Sequence, residues 1–482
     1  MSHWLETRRL FVIVLLLGIF VLAVRNVTDP DVWWHLRTGE LMFANHQVFH
    51  ADPYSFTKAG QPWVDHEWLS QLLIFGLYQV SSWTGLILGF AVFITVTFFL
   101  VFLRCTGQPY IAGAMTAWAA VASVPSWGVR PQMCTLLLAS LSLLVLEGSA
   151  KKASRLWWMP LLLLFWVNLH AGFAVGIALM GIFLIGDALD QAFGFEMPGL
   201  GRFRRLSLAL VSCVAVVPLN PFGLAMYRYP LETIHSRAML AYIGEWASPD
   251  FHQGRYAAFL LMMLATMALA AISPLRLRPS QLLLLAGMSY AALRSVRHIP
   301  LFVLVAAPIL SELLSAALES WRKAGRFGKS QPLTRWKLLV NALILAAFLV
   351  FWGVRIRVVL QEQPESEAKQ FPARAVAFLK AHQLPQPVMN HYNWGGYFIW
   401  KLFPDYRVYI DGRADLYGDA FMEEFASAYF VKGENWRAPF VRWHIETVVL
   451  PPEAPLINAL RLQPGWKEVF VDGQAVVLSY GR

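Results

Sequence analysis

Apolar runs recur along most of this 482-residue chain, a pattern that commits most of its length to a hydrocarbon environment. Charged residues make up 15% of it, against about 25% in soluble domains, too few to cover a water-facing surface of this size. The formal charge of +10 sits in short stretches between the apolar runs, as the positive-inside rule requires. No basic face interleaved with aromatics accompanies it, so nucleic acid is excluded as a partner. Cys105, Cys134 and Cys213 lie in or beside apolar runs without metal or redox spacing and imply no disulfide framework. Several of the 20 Trp flank the runs, as interfacial belts do.

Leu10 to Val24 follows Arg8 and Arg9 like a signal peptide, but Arg25, Asn26 and Asp29 follow it instead of a small-residue cleavage site, which makes it a retained first span. Further spans are expected at Thr84–Leu103, Ile111–Val124, Met133–Leu146, Leu156–Leu169, Ala171–Ile185, Leu206–Leu219, Ala257–Ile272, Gln281–Leu293, Ile299–Leu318 and Lys337–Val354, about eleven in all. Several are shorter than the ~20 residues that cross untilted.

Sidedness depends on Glu67–Val80, an apolar stretch in the length range of an interfacial segment. If it lies on the surface, the clusters Lys151/Lys152/Arg155, Arg202/Arg204/Arg205, Arg276/Arg278 and Arg322/Lys323/Arg326/Lys329 all share the side of Arg8 and Arg9. If it crosses, those clusters move outside, against the charge bias that sets orientation. The surface reading puts the N-terminus in the cytoplasm, in a cytoplasmic (inner) membrane, and two interfacial helices, Asp31–Ala44 and Glu67–Val80, in a first external loop over residues 25–83.

This orientation gathers Asp29, Asp31, His66, Glu67, Arg130, Asn168, His170, Asn220, Glu245, Arg294, Arg297 and His298 at the external ends. Ionisable groups near membrane depth are costly and mark function or paired structure. Asp29-Pro30-Asp31 offers two carboxylates that can share a divalent cation or take a proton from an attacking hydroxyl. The alternative is helix capping, with Thr28 or Asp29 as the cap and Pro30 in the first turn. His66 and Glu67 can hold a metal, orient that pair, or simply open the second surface helix. Arg294, Arg297 and His298 meet at a turn between two spans, where guanidinium forks suit a phosphate; an interfacial anchor or a salt bridge to Glu245 is the alternative. Arg130-Pro131 is a weaker version of the same signal. Asn168, His170 and Glu245 are candidate acceptor or sugar contacts.

From about Gln361 the composition becomes soluble. Helices are expected at Ser366–His382, Gly396–Leu402 and Ala420–Val431, and strands at Pro387–His391, Arg407–Ile410 and Glu446–Leu450. A hairpin turning at Asp472-Gly473 joins Val469–Val471 to Ala475–Leu478. The fold class is therefore an α-helical polytopic membrane protein over residues 1–360 with a small α/β extracytoplasmic domain over 361–482. Asn393-Trp394-Gly395-Gly396-Tyr397 sets paired glycines between aromatics, where another backbone can approach closely. Asp411-Gly412-Arg413-Ala414-Asp415 is either a ligand-binding loop after a strand or a tight turn with an internal Asp–Arg pair.

The stretches Asp29-Pro30-Asp31-Val32-Trp33-Trp34-His35-Leu36 and Trp63-Val64-Asp65-His66-Glu67-Trp68-Leu69, read with the topology, resemble the GT-C superfamily of integral-membrane glycosyltransferases over roughly residues 1–320. The resemblance implies a polyprenyl-phosphate-linked sugar as donor, a lipid, glycan or protein acceptor, and membrane lipids as surroundings. It also implies an acidic residue at Asp29 or Asp31 as general base or metal ligand, with Asp29, Asp31 and Glu67 as ligands if Mg2+ or Mn2+ takes part. Arg294, Arg297, His298 and Arg130 become the donor-phosphate contacts. The final domain is similar to that of single-subunit oligosaccharyltransferases, whose Trp-Trp-Asp-Tyr-Gly motif recognises an acceptor peptide. Here Asn393–Tyr397 lacks the central Asp, and en bloc glycan transfer stands as an alternative. Trp394, Tyr397, Asp411 and Arg413 are the acceptor-side candidates. A lipid-linked sugar flippase and a non-catalytic envelope assembly protein are the rival classes.

Overall fold

In hydrocarbon a backbone must satisfy its polar groups internally, so each apolar run is driven into a helix. The computed structural model describes residues 7–195, 199–322 and 335–481. Every expected span falls on a helix: Thr7–Ala23, Trp68–Arg104, Pro109–Ser123, Gln132–Gly148, Trp158–Leu169, Phe173–Ala192, Leu200–Val216, Ala257–Ile272, Pro279–Arg294, Ile299–Arg322 and Arg335–Gln370. Among the described residues, five helical stretches are long and apolar enough to cross a membrane: Trp68–Arg104, Phe173–Ala192, Gly254–Ile272, Val296–Glu319 and Trp336–Gln370. Of the last basic cluster, Lys323, Arg326 and Lys329 lie outside the described residues.

The chain divides into two compact units. The first comprises Met1–Arg25, Ile87–Asn220 and Glu245–Leu360. Its central helix, Ile299–Arg322, packs against Pro109–Ser123, Pro279–Arg294 and Ala257–Ile272. Two buried cations tie helices together within this unit. Arg104 forks onto Glu147 at 2.9 and 2.6 Å and also donates to the Leu304 carbonyl at 2.7 Å. Arg202 pairs with Asp187 and donates to Ser149 Oγ at 2.9 Å.

The second unit comprises Asn26–Leu86, Pro221–Gly244 and Gln361–Arg482. Its sheet has strands β1 (Val388–Asn390), β2 (Thr447–Leu450), β3 (Trp466–Val471) and β4 (Val476–Tyr480) in the order β1-β2-β4-β3. β1 runs parallel to β2, and the other pairs are antiparallel. The β3–β4 hairpin turns at Asp472 as expected, with Asp472 Oδ1 accepting from the Gln474 and Ala475 amides at 2.9 and 2.8 Å.

Two expectations are corrected. Arg407–Ile410 is not a strand of the sheet; Val408 makes only an isolated bridge to Ser55, because its extended backbone faces a loop. Ser366–His382 is not one helix. The preceding helix runs to Gln370 and a new one starts at Ala373, since Pro372 lacks a donor and disfavours helical geometry at Phe371.

The stretch on which sidedness depends is the first part of Trp68–Arg104. The backbone leaves helical geometry at Ser81 (φ −153°, ψ 29°) and Ser82 (φ 50°, ψ −138°). A straight helix would separate residues 77 and 85 by about 12 Å. Instead a Cβ on Gly85 would collide with the Leu77 carbonyl oxygen. The chain therefore bends sharply between the two apolar segments that the sequence distinguishes, and glycine is the residue that permits it.

Candidate active site

In the second unit the chain leaving Val27 makes a tight turn at Asp29-Pro30-Asp31. Asp29 Oδ1 accepts the Asp31 amide at 2.8 Å, and Asp31 Oδ1 accepts Trp34 Nε1 at 3.1 Å. Asp31 occupies the cap position of helix Val32–Asn45 but makes no side-chain bond to its amides. The Asp29 bond to the Asp31 amide is of the kind the capping alternative expects of Asp29, and Asp31, beside the helix start, is left to act by its charge. Both acids are half-buried.

Two glycines hold this turn in place. A Cβ on Gly396 would sit 2.6 Å from the Pro30 carbonyl oxygen, and one on Gly412 would strike the Asp31 carboxylate itself. Gly395, next in line, lies against the backbone of Ile410 and Asp411. The paired glycines are therefore a wedge between the acidic turn and the 410–412 turn. Three motifs far apart in the chain converge at this point.

The 411–413 turn is itself fixed by a buried ion cluster. Arg413 Nε and Nη2 donate to the two Asp411 oxygens at 2.8 and 2.7 Å. Arg413 Nη1 lies 2.8 Å from Asp52 Oδ1, ion-paired although too oblique for a hydrogen bond. Tyr417 Oη donates to Asp411 at 2.8 Å, and the guanidinium stacks 4.6 Å over the Trp63 ring. Asp411 is 0% exposed, Arg413 1% and Asp52 3%. This is the internal Asp–Arg pair weighed from the sequence, with Asp52 as an added member. Trp394 and Tyr397 are likewise buried, Tyr397 stacking on Phe371 at 5.1 Å and meeting Trp33 edge-on at 4.9 Å.

His66 and Glu67 stand at the entry to the helix beginning at Trp68. Glu67 is buried; its Oε1 is 3.2 Å from His66 Nε2, and its Oε2 is 3.6 Å from His35 Nε2. Burial pushes the His35 ring down to about 4, past the opposing pull of Glu67, so it is neutral. Burial works against a charged His66 as well, but Glu67, Asp415 and Asp65 raise it above its ordinary value. Asp65 is buried, with Oδ1 accepting Gln71 Nε2 at 2.6 Å, and burial pushes it up to about 7. Among the described residues, Asp29, Asp31 and Glu67 do not form a three-ligand group with donor atoms within 4.8 Å of one another.

In the first unit, Arg130 pairs with Glu245. Burial opposes ionisation of Glu245, but the Arg130 and Arg297 guanidiniums outweigh it and hold the carboxyl below its ordinary value. Arg297 lies 5.2 Å over the Trp246 ring, with Nη2 3.5 Å from His170 Nε2. His170 Nδ1 accepts the Gly172 amide at 2.9 Å and faces Thr135 Oγ1 at 2.8 Å. An accepting Nδ1 leaves the proton of a neutral ring on Nε2, so His170 and Arg297 present donors side by side. Other expected members stand apart. Arg294 is exposed and bonds Tyr290 Oη at 3.3 Å, while Asn168 Nδ2 turns back to the Leu164 carbonyl at 2.8 Å. His298, by contrast, meets edge-on, at 6.1 Å, the same Trp246 ring that Arg297 covers.

Asp52 and Asp415 belong to these clusters but were not among the candidate site residues, although Asp415 ends a motif already singled out.

The sequence matches no protein-family model and no curated protein. Solved structures do match in fold. The oligosaccharyltransferase AglB of Archaeoglobus fulgidus, tethered with an acceptor peptide containing the NVT sequon, aligns with TM-score 0.58 and 11% identity, over 93% of this chain and 70% of its own. The same enzyme in complex with an inhibitory peptide and a dolichol-phosphate aligns with TM-score 0.55 and 11% identity, over 98% and 74%. ArnT from Cupriavidus metallidurans bound to undecaprenyl phosphate gives TM-score 0.48 and 13% identity, over 98% and 97%. The chain thus has a GT-C-like fold.

Proposed function

We propose that the protein is a membrane glycosyltransferase that moves a sugar from a polyprenyl-phosphate-linked donor to an acceptor outside the cytoplasm. The observation that carries this reading is the seat of the Asp29-Pro30-Asp31 turn: two half-buried carboxylates, one bonded to Trp34 and pressed against Gly412, in a chain with the AglB fold. A carboxylate fixed in that way can take a proton without first reorganising.

In the reaction, the acceptor hydroxyl oxygen attacks the anomeric carbon and Asp29 or Asp31 takes its proton. The bond from that carbon to the phosphate oxygen breaks, and polyprenyl phosphate leaves with the electron pair. Direct displacement inverts the anomeric centre, as in inverting glycosidases. Donor phosphate is assigned to Arg297 and His170, with Arg130 held beside them by Glu245; guanidinium donors stabilise the charge that grows on the leaving group. Glu67 and the Asp29–Asp31 pair are hard oxygen donors of the kind Mg2+ takes, and Mg2+ needs only one or two carboxylates. When bound, such an ion would neutralise part of the phosphate charge.

En bloc glycan transfer is the second reading, favoured by the likeness to AglB. Trp394 and Tyr397 are buried, which speaks against their touching an acceptor and weakens that reading. The test supplies the full-length protein in vesicles with labelled polyprenyl-phosphate monosaccharide or with a lipid-linked oligosaccharide. Transfer from the monosaccharide donor, abolished by Asp29→Asn or Asp31→Asn, is expected. Full activity in both variants would remove the base, and transfer from the oligosaccharide alone would install the second reading.

A further inference from the structure

The basic turn at Arg297 admits two readings from sequence, a phosphate site or a salt bridge to Glu245, and the structure holds both in one place. Glu245 is ion-paired with Arg130, and Arg297 acts on the same carboxylate by charge. Arg297 also covers the ring of Trp246, the residue next to Glu245 in the chain, at 5.2 Å. One carboxylate thus answers two guanidiniums, and a phosphate bound by those guanidiniums needs the same place.

Two anions do not share such a place readily. Guanidiniums held partly out of water need a counter-charge. A second anion beside the first is repelled at short range, where salt screens little. The seat therefore holds the carboxylate or the phosphate.

The parts of the site differ in what they can yield. The backbone around Glu245 is fastened to the turn between helices Pro279–Arg294 and Ile299–Arg322. Ser295 Oγ donates to the Glu245 carbonyl at 2.9 Å, and the Val296 amide donates to the Ala247 carbonyl at 3.0 Å. Arg297 lies against the Trp246 ring, with Nη2 3.5 Å from His170 Nε2. The Glu245 side chain, by contrast, is 37% exposed, against 21% for Arg130. A carboxylate with that access reaches water by a change of rotamer alone.

We propose that Glu245 is a built-in stand-in for phosphate, which occupies the anion seat at Arg130 and Arg297 when no ligand is bound and swings out to water when a phosphate group arrives. This deepens the assignment of the donor phosphate to Arg297 and rests on it. For a sugar phosphodiester the exchange is one negative charge for one. After transfer the phosphomonoester left behind carries up to about two charges at neutral pH and holds the guanidiniums harder. Glu245 returning to Arg130 competes with that product and favours its release.

The experiment measures binding of a fluorescent long-chain polyprenyl phosphate to the full-length protein in detergent, with inorganic phosphate as competitor. Glu245→Gln keeps the shape of the side chain and removes its charge. It is expected to tighten the lipid roughly 10-fold, the lower end of what a charged hydrogen bond contributes. Inorganic phosphate should become a better competitor by a similar factor. Glu245→Asp, with the charge on a shorter arm, is expected between Glu245→Gln and wild type, and it decides the matter if Glu245→Gln fails to fold. With a polyprenyl-phosphate sugar as donor, Glu245→Gln should lower KM and kcat together, the mark of a product that leaves slowly. Weaker lipid binding in Glu245→Gln would overturn the proposal, because the carboxylate would then be a bracket that holds Arg130 in place. Unchanged binding of both lipid and inorganic phosphate would overturn it as well, and tightening of inorganic phosphate alone would keep the exchange but make free phosphate the occupant. Arg297→Gln separates this from the assignment beneath it. Wild-type lipid binding in that variant removes the phosphate site itself, whereas lost binding there without a gain in Glu245→Gln removes only the stand-in.

Discussion

Asp52 and Asp411 close around the Arg413 guanidinium with almost no exposed surface, whereas Asp29 and Asp31 stand half-buried on a turn. Both sets lie in the second unit, and the backbone at 411–412 touches both. Burial around a shared guanidinium gives a structural element, since an ion cluster sealed from water serves no substrate. A carboxylate that keeps partial exposure, a fixed orientation and a glycine neighbour is a group that chemistry can reach.

That contrast can be broken in several ways. The largest effect is expected from Arg413→Met, which strands two buried carboxylates. Removing one partner of a buried pair costs about 3–5 kcal/mol, so thermal unfolding and protease sensitivity should show the second unit collapsing; an intact melting profile would mean that the cluster does not hold the turn. Asp31→Asn should do the reverse, keeping the fold but lowering transfer by roughly 100- to 10,000-fold, the range for a general base. Gly412→Ala sharpens the point without touching a charge. Its Cβ displaces the Asp31 carboxylate, and misplacement of about 1 Å costs on the order of 100-fold in rate.

A smaller effect separates the arginines of the first unit. Arg297→Gln should weaken donor binding roughly 10- to 100-fold, the worth of a charged hydrogen bond. Arg294→Gln, on an exposed side chain bonded to Tyr290, should leave the dissociation constant almost unchanged. Equal losses would reject the distinction.

A last expectation concerns pH. Burial pushes the His391 ring down to about 4 from its ordinary 6.5. Below pH 6.5 the unfolded chain binds a proton that the folded ring refuses. Stability from this group is therefore present above about 6.5 and lost as pH falls towards 4, by up to about 1.4 kcal/mol per pH unit. Melting His391→Gln across that window should give a flatter profile than wild type.

Much of the helical architecture was legible because apolar runs leave a chain no other option. The break at Ser81–Ser82 falls between two segments that length and charge bias already separated. The Asp29-Pro30-Asp31 motif, the glycine pair and Asp411–Asp415 were visible as motifs, yet their meeting was not, since contacts across more than 350 residues of sequence leave no periodicity to read. Arg407–Ile410 was misread for a related reason. Alternation marks an extended chain but cannot say whether a ladder or a loop faces it. Arg294 looked equivalent to Arg297 until the turn of the helix pointed them to different partners.

The wedge at Gly395-Gly396 has a practical corollary. Residues near the start of the chain and residues near its end form one mechanical part, so grafting the terminal domain from a relative would carry off the stop against which the acidic turn rests. A chimera designed to change acceptor preference would have to exchange the 26–86 and 385–415 stretches together, as matched halves of a single casting.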